Sequence, residues 1–497
     1  MSSEAEGTRR AMDRSLLGAV AWNATAKWIS QGLTWISTIV IARLLTPYDF
    51  GIMGMAGLYL ALATLVSQMG IGQAIVTLRD MSRQRIAQLN CVALAIGVGL
   101  VGVSFVVAAP LARFFSAPPL RAVVWVVSST YLITSLQVVP RALLQKEMRF
   151  KELASAETTR YLVQAAISVV LAWAGFRYWS LVWGYIAGAA AATLLLWRWR
   201  GHSFAWPRLR ELRRELRYGG NVLATGIAWY CYDNADFLVA GRVLGSVPLG
   251  NYTMAWTIAC APVEKIANLI TGVTPAYFSA VQREPAELRR YLLRLTEIIS
   301  CATIPASLGL ALVADPLVRV LLGPKWLGAI LPLRILGAFV AARSIAVVVP
   351  NLLIAIGEAA FVMWATLAAA AVMPCAFYLG SHWGTAGIAA AWIVAYPLVI
   401  LPNFVKTFRR IGIAPGTYWR SIQPAVTASA AMALVVLAGG RLAAGAPAWL
   451  RLGLMITVGA LAYAGVLFLL QQDRILALLR ELRTSRQAGR QECIPPQ

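Results

Sequence analysis

Charge is scarce in this 497-residue chain. Only 13% of residues are Asp, Glu, Lys or Arg, and just 21 of them are acidic. Soluble domains carry about 25% charged residues and about 45–50% apolar ones. Here the apolar fraction is 59% and the mean hydropathy is +0.68. So much apolar side chain cannot be hidden inside one globule of this size, which excludes a soluble enzyme. It also excludes a disordered chain, because disorder needs low hydrophobicity. Histidine is nearly absent, with His202 and His382 alone, so a multi-histidine metal site is ruled out. The six cysteines (Cys91, Cys231, Cys260, Cys301, Cys375, Cys493) lie no closer than 29 residues apart, so there is no C-x-x-C metal or redox motif. Five of them sit in apolar stretches and read as small packing residues.

Long apolar runs are what the chain has instead. A spanning helix needs about 20 mostly apolar residues. Fourteen stretches qualify: 15–42, 52–76, 89–109, 121–145, 155–174, 178–197, 218–241, 250–280, 290–313, 328–355, 359–379, 385–404, 421–439 and 451–472. Residues 1–14 are polar, and the first run is too long and too polar, with Lys27 inside it, to read as a cleaved leader. An even number of spans puts both termini on one side. With the N terminus cytoplasmic, the inside segments hold 29 Lys and Arg and the outer loops 9, the remainder lying within spans. That bias predicts cytoplasmic N and C termini. The +23 net charge then belongs to cytoplasmic loops beside anionic lipid, above all 198–217 with Arg208, Arg210, Arg213, Arg214 and Arg217, and not to nucleic acid. No loop is long enough for a soluble catalytic domain.

The chain repeats itself. Arg43-Leu44-Leu45 runs to Phe50-Gly51 as Arg242-Val243-Leu244 runs to Leu249-Gly250, at an offset of 199. Pro110-Leu111-Ala112-Arg113 matches Pro316-Leu317-Val318-Arg319 at 206, and Pro119-Leu120-Arg121 matches Pro332-Leu333-Arg334 at 213. Val139-Pro140 with Leu143 matches Val349-Pro350 with Leu353 at 210. The offset covers six spans, an even number, so the halves enter the membrane in the same direction as parallel repeats. The expected architecture is an all-α integral membrane protein of about 14 helices: two parallel six-helix repeats around a central cavity, plus two extra C-terminal helices. The segments are 1–14, a cytoplasmic start; 15–200, the first half; 201–217, a basic cytoplasmic linker; 218–410, the second half; 411–472, the two extra helices; and 473–497, a basic cytoplasmic tail.

Ionisable groups within a span are costly and mark a path or a site. The first span aligns Asn23, Lys27, Gln31 and Thr34 on one helical face. The seventh aligns Asn221, Thr225, Tyr232 and Asp236, with Asp233 flanking. The eighth aligns Thr257, Glu264, Asn268 and Thr271, with Lys265 to one side. The fifth carries Arg160, Gln164 and Ser168, and the tenth carries Arg343. Arg121 and Arg334 lie near the outer interface and read as snorkelling side chains. Lys27, Arg160, Lys265 and Arg343 thus make a cationic set drawn from both halves, with Asn23 and Gln31 as neutral companions. A cationic cavity suits an anionic solute, and the forked donors of Arg suit phosphate. Asp236, Asp233 and Glu264 are candidates for charge balance or for binding a coupling cation.

Several stretches resemble a known family. They are Ala42-Arg43-Leu44-Leu45-Thr46-Pro47-Tyr48-Asp49-Phe50-Gly51, then Gly70-Ile71-Gly72-Gln73-Ala74-Ile75, and Leu143-Leu144-Gln145-Lys146-Glu147-Met148-Arg149-Phe150. Tyr178-Trp179-Ser180-Leu181-Val182, Asn234-Ala235-Asp236 with Ala240-Gly241-Arg242, and Gly384-Thr385-Ala386-Gly387-Ile388-Ala389 complete the pattern. It resembles the Wzx-type polysaccharide transporters, in the branch that includes colanic-acid exporters, within the superfamily of lipid II flippases and multidrug-and-toxin extruders. The resemblance implies a non-enzymatic flippase in the bacterial inner membrane. It would move an undecaprenyl-pyrophosphate-linked oligosaccharide to the outer leaflet for exopolysaccharide, capsule or O-antigen synthesis. A polysaccharide polymerase and chain-length machinery are the implied partners, and membrane lipid surrounds the tail. No cofactor is implied. Coupling to protons, to sodium or to the membrane potential is left open. Asp236 matches a sodium-binding acidic position of lipid II flippases, but 359–404 has no Asp, Glu or membrane-embedded Asn to complete such a site. The alternatives are a drug extruder, disfavoured by the cationic cavity, and a membrane-embedded polymerase or ligase, disfavoured by the lack of a long outer loop. A bare membrane scaffold would leave the polar faces unexplained.

Overall fold

A computed structural model describes residues 35–491 apart from 69, 78–80, 209–211, 213–219, 221–222, 224–225, 228, 272–277, 279–280 and 283, with side chains omitted at 68, 262, 264–271 and 471–491. The described residues are helical apart from short connections and the 201–208 stretch, and hold no strands. Ten of its helical segments are long and apolar enough to cross a membrane. Every backbone polar group in lipid must be satisfied within its own segment, and helices meet that demand.

The first half runs α1 (Trp35–Leu44), α2 (Pro47–Gln68), α3 (Ile71–Thr77), α4 (Arg83–Phe114), α5 (Pro119–Ser135), α6 (Val138–Lys146), α7 (Phe150–Trp173) and α8 (Tyr178–Arg200). The short α9 (Ala235–Val239) lies within the seventh span, which is only partly described. The second half runs α10 (Ser246–Thr271), α11 (Pro285–Leu312), α12 (Ala314–Leu317), α13 (Ile330–Ala346), α14 (Val348–Ala355), α15 (Ala359–Ser381) and α16 (Gly384–Ile411). The last pair is α17 (Pro415–Leu442) and α18 (Ala448–Gln491).

Two compact units result, Met1–Thr253 and Met254–Gln497. In the first, α4 packs on α5, α7 on α8, and α5 on α8. In the second, α11 packs on α13, α15 on α16, and α13 on α16. The same order of pairing recurs, as the sequence repeat requires. The extra helix α17 packs on α11, and α18 on α17. Matched helix ends agree in backbone detail. The Ala117 amide donates to the Ala112 carbonyl as the Gly323 amide donates to that of Val318, 206 residues on.

Small and hydroxyl residues seal the helix contacts, as they do where lipid removes any hydrophobic drive between helices. In the α15–α16 hairpin, Gly380 and Gly387 leave room for each other's backbone. Ser344 of α13 donates to the Thr303 hydroxyl of α11 at 2.8 Å. Gln137, at the break between α5 and α6, gives its amide hydrogens to the Ala189 carbonyl at 3.0 Å and the Thr193 hydroxyl at 2.6 Å. Large apolar side chains on the same helices are left outward, among them Leu194 at 72% exposure and Leu461 at 74%. On a soluble protein such a surface would aggregate; on a spanning helix it faces acyl chains.

Candidate functional site

Of the cationic set, two members have described side chains, one in each unit. Arg160 lies on α7, its guanidinium carbon 5.5 Å from the Tyr185 ring centroid on α8. Its Nε is buried and makes no hydrogen bond. Gln137, Arg141 and Glu157 line the small void beside it, and Arg141 pairs with Glu157. Arg343 lies on α13 in the second unit, against the indoles of Trp256 and Trp392, with ring centroids 5.3 and 5.7 Å away. Asn23, Lys27 and Gln31 fall outside the described residues, as do Asn221 and Thr225. Glu264 and Lys265 lie on α10, with side chains outside the description.

Asp236 opens the first turn of α9 and is fully buried. Its carboxylate accepts from the Tyr252 hydroxyl at 2.7 Å and from the Phe237 amide at 2.9 Å. Asp233 is half-buried one turn earlier. Tyr230, on the same segment, donates its hydroxyl to the Leu58 carbonyl of α2 at 2.7 Å. The seventh span is thereby tied to α2 and to the start of α10. One expectation needs amending. Asn403, within α16, is 5% exposed, so 359–404 does hold one buried amide.

Three features at the start of α2 and α10 escaped the sequence reading. Thr46 precedes α2, and the Asp49 carboxylate accepts from the Thr46 amide at 3.0 Å and from its hydroxyl at 2.6 Å. That back-bond, with Pro47 at the first helical position, fixes the entry into the helix. The spacing Thr46-Pro47-Tyr48-Asp49 carries the signal in plain view. Asp49 is buried and also meets Arg177 Nε at 3.5 Å, while the Arg177 guanidinium lies 5.9 Å from the Tyr48 ring centroid. Beside this cluster, a groove of about 350 Å³ is lined by Tyr48, Ser116, Arg242 and Ser246. Finally, Gly51 and Gly250 let the two helix starts touch at the backbone.

The basic linker is not loose at its start. Asn90 of α4 donates to the carbonyls of His202 and Ser203 at 3.2 and 3.4 Å. Trp197 stacks on Phe204 at 5.7 Å, and Leu212 is fully buried against Ile71, Ile75 and Leu89.

With this geometry in hand, likeness to known proteins is decisive. The model of a family described as "Polysaccharide biosynthesis protein" matches residues 40–331, more than half of the chain. The chain belongs to that family. Among relatives, it is 27% identical over 351 residues to the lipopolysaccharide biosynthesis protein WzxC of Escherichia coli (strain K12), covering 69% of this chain and 70% of WzxC. It is 25% identical over 396 residues to the succinoglycan biosynthesis transport protein ExoT of Rhizobium meliloti (strain 1021), covering 78% of each. Its fold is similar to that of the lipid II flippase MurJ in an inward closed conformation, at a TM-score of 0.76 and 14% identity, covering 92% of this chain and 100% of that one. This member of the polysaccharide biosynthesis protein family is therefore an all-α, multi-pass membrane protein. Its fold is that of membrane transporters, not of an enzyme.

Proposed function

We propose that the protein is a flippase for undecaprenyl-pyrophosphate-linked oligosaccharide, carrying repeat units from the cytoplasmic to the outer leaflet of the bacterial inner membrane, with both of its termini in the cytoplasm. Polysaccharide polymerase and chain-length machinery would use the product on the far side. The observation that carries the reading is a cation kept inside a spanning helix of a polysaccharide biosynthesis family member, namely Arg343 on α13. Several kcal/mol per ion would oppose burying a pyrophosphate without counter-charge. Lys27, Arg160, Lys265 and Arg343 supply it, and Asn23 and Gln31 offer hydrogen bonds to sugar. The two six-helix halves would alternate access, with the lipid tail left in the membrane. Asp236, Asp233 and Glu264 would balance charge or bind a coupling proton or sodium ion, and the membrane potential is a further source of drive.

The test is the leaflet distribution of lipid-linked oligosaccharide after deletion of the gene. Accumulation on the inner leaflet, reversed by the parental gene, is expected. The Lys27→Ala, Arg343→Ala double variant should insert normally and fail to reverse it, while Lys27→Arg should retain part of the activity. An unchanged leaflet distribution in the deletion strain would end the flippase reading.

A further inference from the structure

Four connections of the first unit meet at one end. Tyr48 lies in the first turn of α2, Ser116 follows α4, Arg177 precedes α8, and the chain from Arg242 to Ser246 leads out of the seventh span into α10. Spanning segments end where the hydrocarbon ends, so these connections lie at the depth of the lipid headgroups. The basic-residue bias predicts that this end faces outward. Among them runs the groove of about 350 Å³, lined by Tyr48, Ser116, Arg242, Val243 and Ser246. Left-handed turns at Ser116, with φ 51°, and at Gly245, with φ 87°, carry the chain from one helix into the next within a few residues.

The charge around the groove is simple. Arg177 meets the buried Asp49 at 3.5 Å, so those two offset each other. Among the described residues that line the groove, Arg242 alone is charged. Its guanidinium carbon lies 5.4 Å from the Phe114 ring centroid, an uncharged support that leaves the positive charge in place. One cation with two serine hydroxyls suits a singly charged phosphodiester better than a pyrophosphate, whose negative charges would outnumber it. The 26-residue α10 also starts at Ser246 and sets its positive end at the edge of the groove. The neighbouring rim is apolar and exposed, with Val243 at 46% and Phe114 at 42%. At headgroup depth such side chains meet acyl chains. The ligand that fits has a phosphate and a hydrocarbon part, as a phospholipid has.

We propose that this groove binds the phosphodiester headgroup of an anionic phospholipid, with Arg242 on the phosphate and the acyl chains passing Val243 and Phe114. Ser116 and Ser246 offer hydrogen bonds to hydroxyls of the headgroup. A zwitterionic headgroup is disfavoured, because it would bring an ammonium group up to Arg242. A seated headgroup bridges the end of α4, the seventh span and the starts of α2 and α10, and so stabilises that end of the unit.

The test uses the full chain in detergent micelles, with dioleoyl phosphatidylglycerol as the probe and native mass spectrometry reading the Kd of the first lipid bound. Dioleoyl phosphatidylcholine and inorganic phosphate are the comparison ligands. Phosphatidylglycerol should bind about five- to tenfold more tightly than phosphatidylcholine, the size expected of one charge-assisted contact. Arg242→Gln should erase that preference, and Arg242→Lys, which keeps the charge but not the fork, should hold the Kd within about threefold. Arg121 is a matched comparison: it is exposed in the same unit and lies 4.4 Å from the Trp125 ring centroid, but does not line the groove. Arg121→Gln should leave the Kd within about twofold, as for other exposed charges. Phosphatidylglycerol should also raise the unfolding temperature of the parental protein more than that of Arg242→Gln. An undiminished preference in Arg242→Gln overturns the proposal. So does an equal loss from Arg121→Gln, since the attraction would then belong to the whole face. Displacement of phosphatidylglycerol by an equal concentration of inorganic phosphate would make this a site for the free anion and remove the lipid assignment.

Discussion

Gly51 and Gly250 occupy matching positions in the two sequence repeats, and each rests against the backbone that leads into the other's helix. A Cβ at Gly51 would overlap the carbonyl oxygen of Ser246, and one at Gly250 would overlap that of Pro47. Pro47 and Ser246 each stand four residues before their own helix's glycine, so the contact is reciprocal. The same local pattern, a helix start with a glycine four residues on, thus stands on both sides of the contact.

Alanine at either glycine should force the starts of α2 and α10 apart, because the obstructing atoms are backbone and cannot rotate away. Overpacking of this kind costs about 1–3 kcal/mol. Both substitutions strain one contact, so their effects should be non-additive, which thermal unfolding of the single and double variants will show. Additive losses would mean that the glycines act separately.

The same crossing can be locked. A Cβ at Gly54 would lie 3.3 Å from the Thr253 hydroxyl. Cysteines at these two positions, in a background without the native cysteines, should form a disulfide on mild oxidation. Under alternating access, the oxidised protein should stop exporting polymer and recover on reduction. Continued export by the fully cross-linked protein would show that α2 and α10 need not separate.

Hydropathy and charge bias made the class of this fold legible, because length, apolarity and basic loops follow directly from the solvent that surrounds each segment. The repeat was legible at Arg43 and Arg242 because a helix start constrains several neighbours at once. Less visible was the meeting of Arg343 with Trp256 and Trp392. Those residues are far apart in sequence, and a tryptophan in a span looks the same whether it faces lipid or a cation. Gly51 and Gly250 appeared as mere repeat markers, since only three-dimensional packing tells a glycine that touches backbone from one that touches nothing. Asp49 was overlooked for a different reason. Its partners Thr46 and Pro47 are local and readable, but a carboxylate in the first turn of a helix has the pattern of an ordinary cap, and the distant Arg177 leaves no local mark.

Each half also closes its own end with an ion pair. Arg200, the last residue of α8, meets Glu147 at 2.6 Å, and Arg410, near the end of α16, binds Glu358, which Lys406 approaches to 3.3 Å. The Arg410 side chain, with Lys406 second, holds the Glu358 carboxyl below the usual carboxylate range. A depressed pKa in the folded state means that the pair stabilises the fold above the ordinary carboxylate pKa. That contribution fades as pH falls through the lowered value. Acidification should therefore lower the unfolding temperature of the parental protein more than that of Glu358→Gln, which has no proton to take up there. The effect should be small and shrink in high salt, as for other exposed pairs. Identical acid sensitivity in the two proteins would remove Glu358 from the pH response.

Asp236 separates a structural carboxylate from a working one. It is fully buried and holds the Tyr252 hydroxyl at 2.7 Å, so cutting it back has two consequences. Asp236→Leu removes the acceptor and strands a buried phenol, at a cost of about 1–3 kcal/mol. Adding Tyr252→Phe should return part of that loss, because the phenol hydroxyl that needed the acceptor is gone, while the Phe237 amide, which also donates to Asp236, still lacks its partner. Asp236→Asn can keep its oxygen on the Phe237 amide and turn its NH2 to the Tyr252 hydroxyl, which can accept as well as donate, so it should cost less stability than Asp236→Leu. Export then decides the role. If Asp236 binds a coupling proton or sodium ion, Asp236→Asn should export slowly and lose any dependence on external pH and sodium, whereas Tyr252→Phe should keep that dependence. Export by Asp236→Asn at the parental rate, at every external pH and sodium level, would reduce the residue to an anchor for Tyr252. The coupling role would then have to move to Asp233 or Glu264.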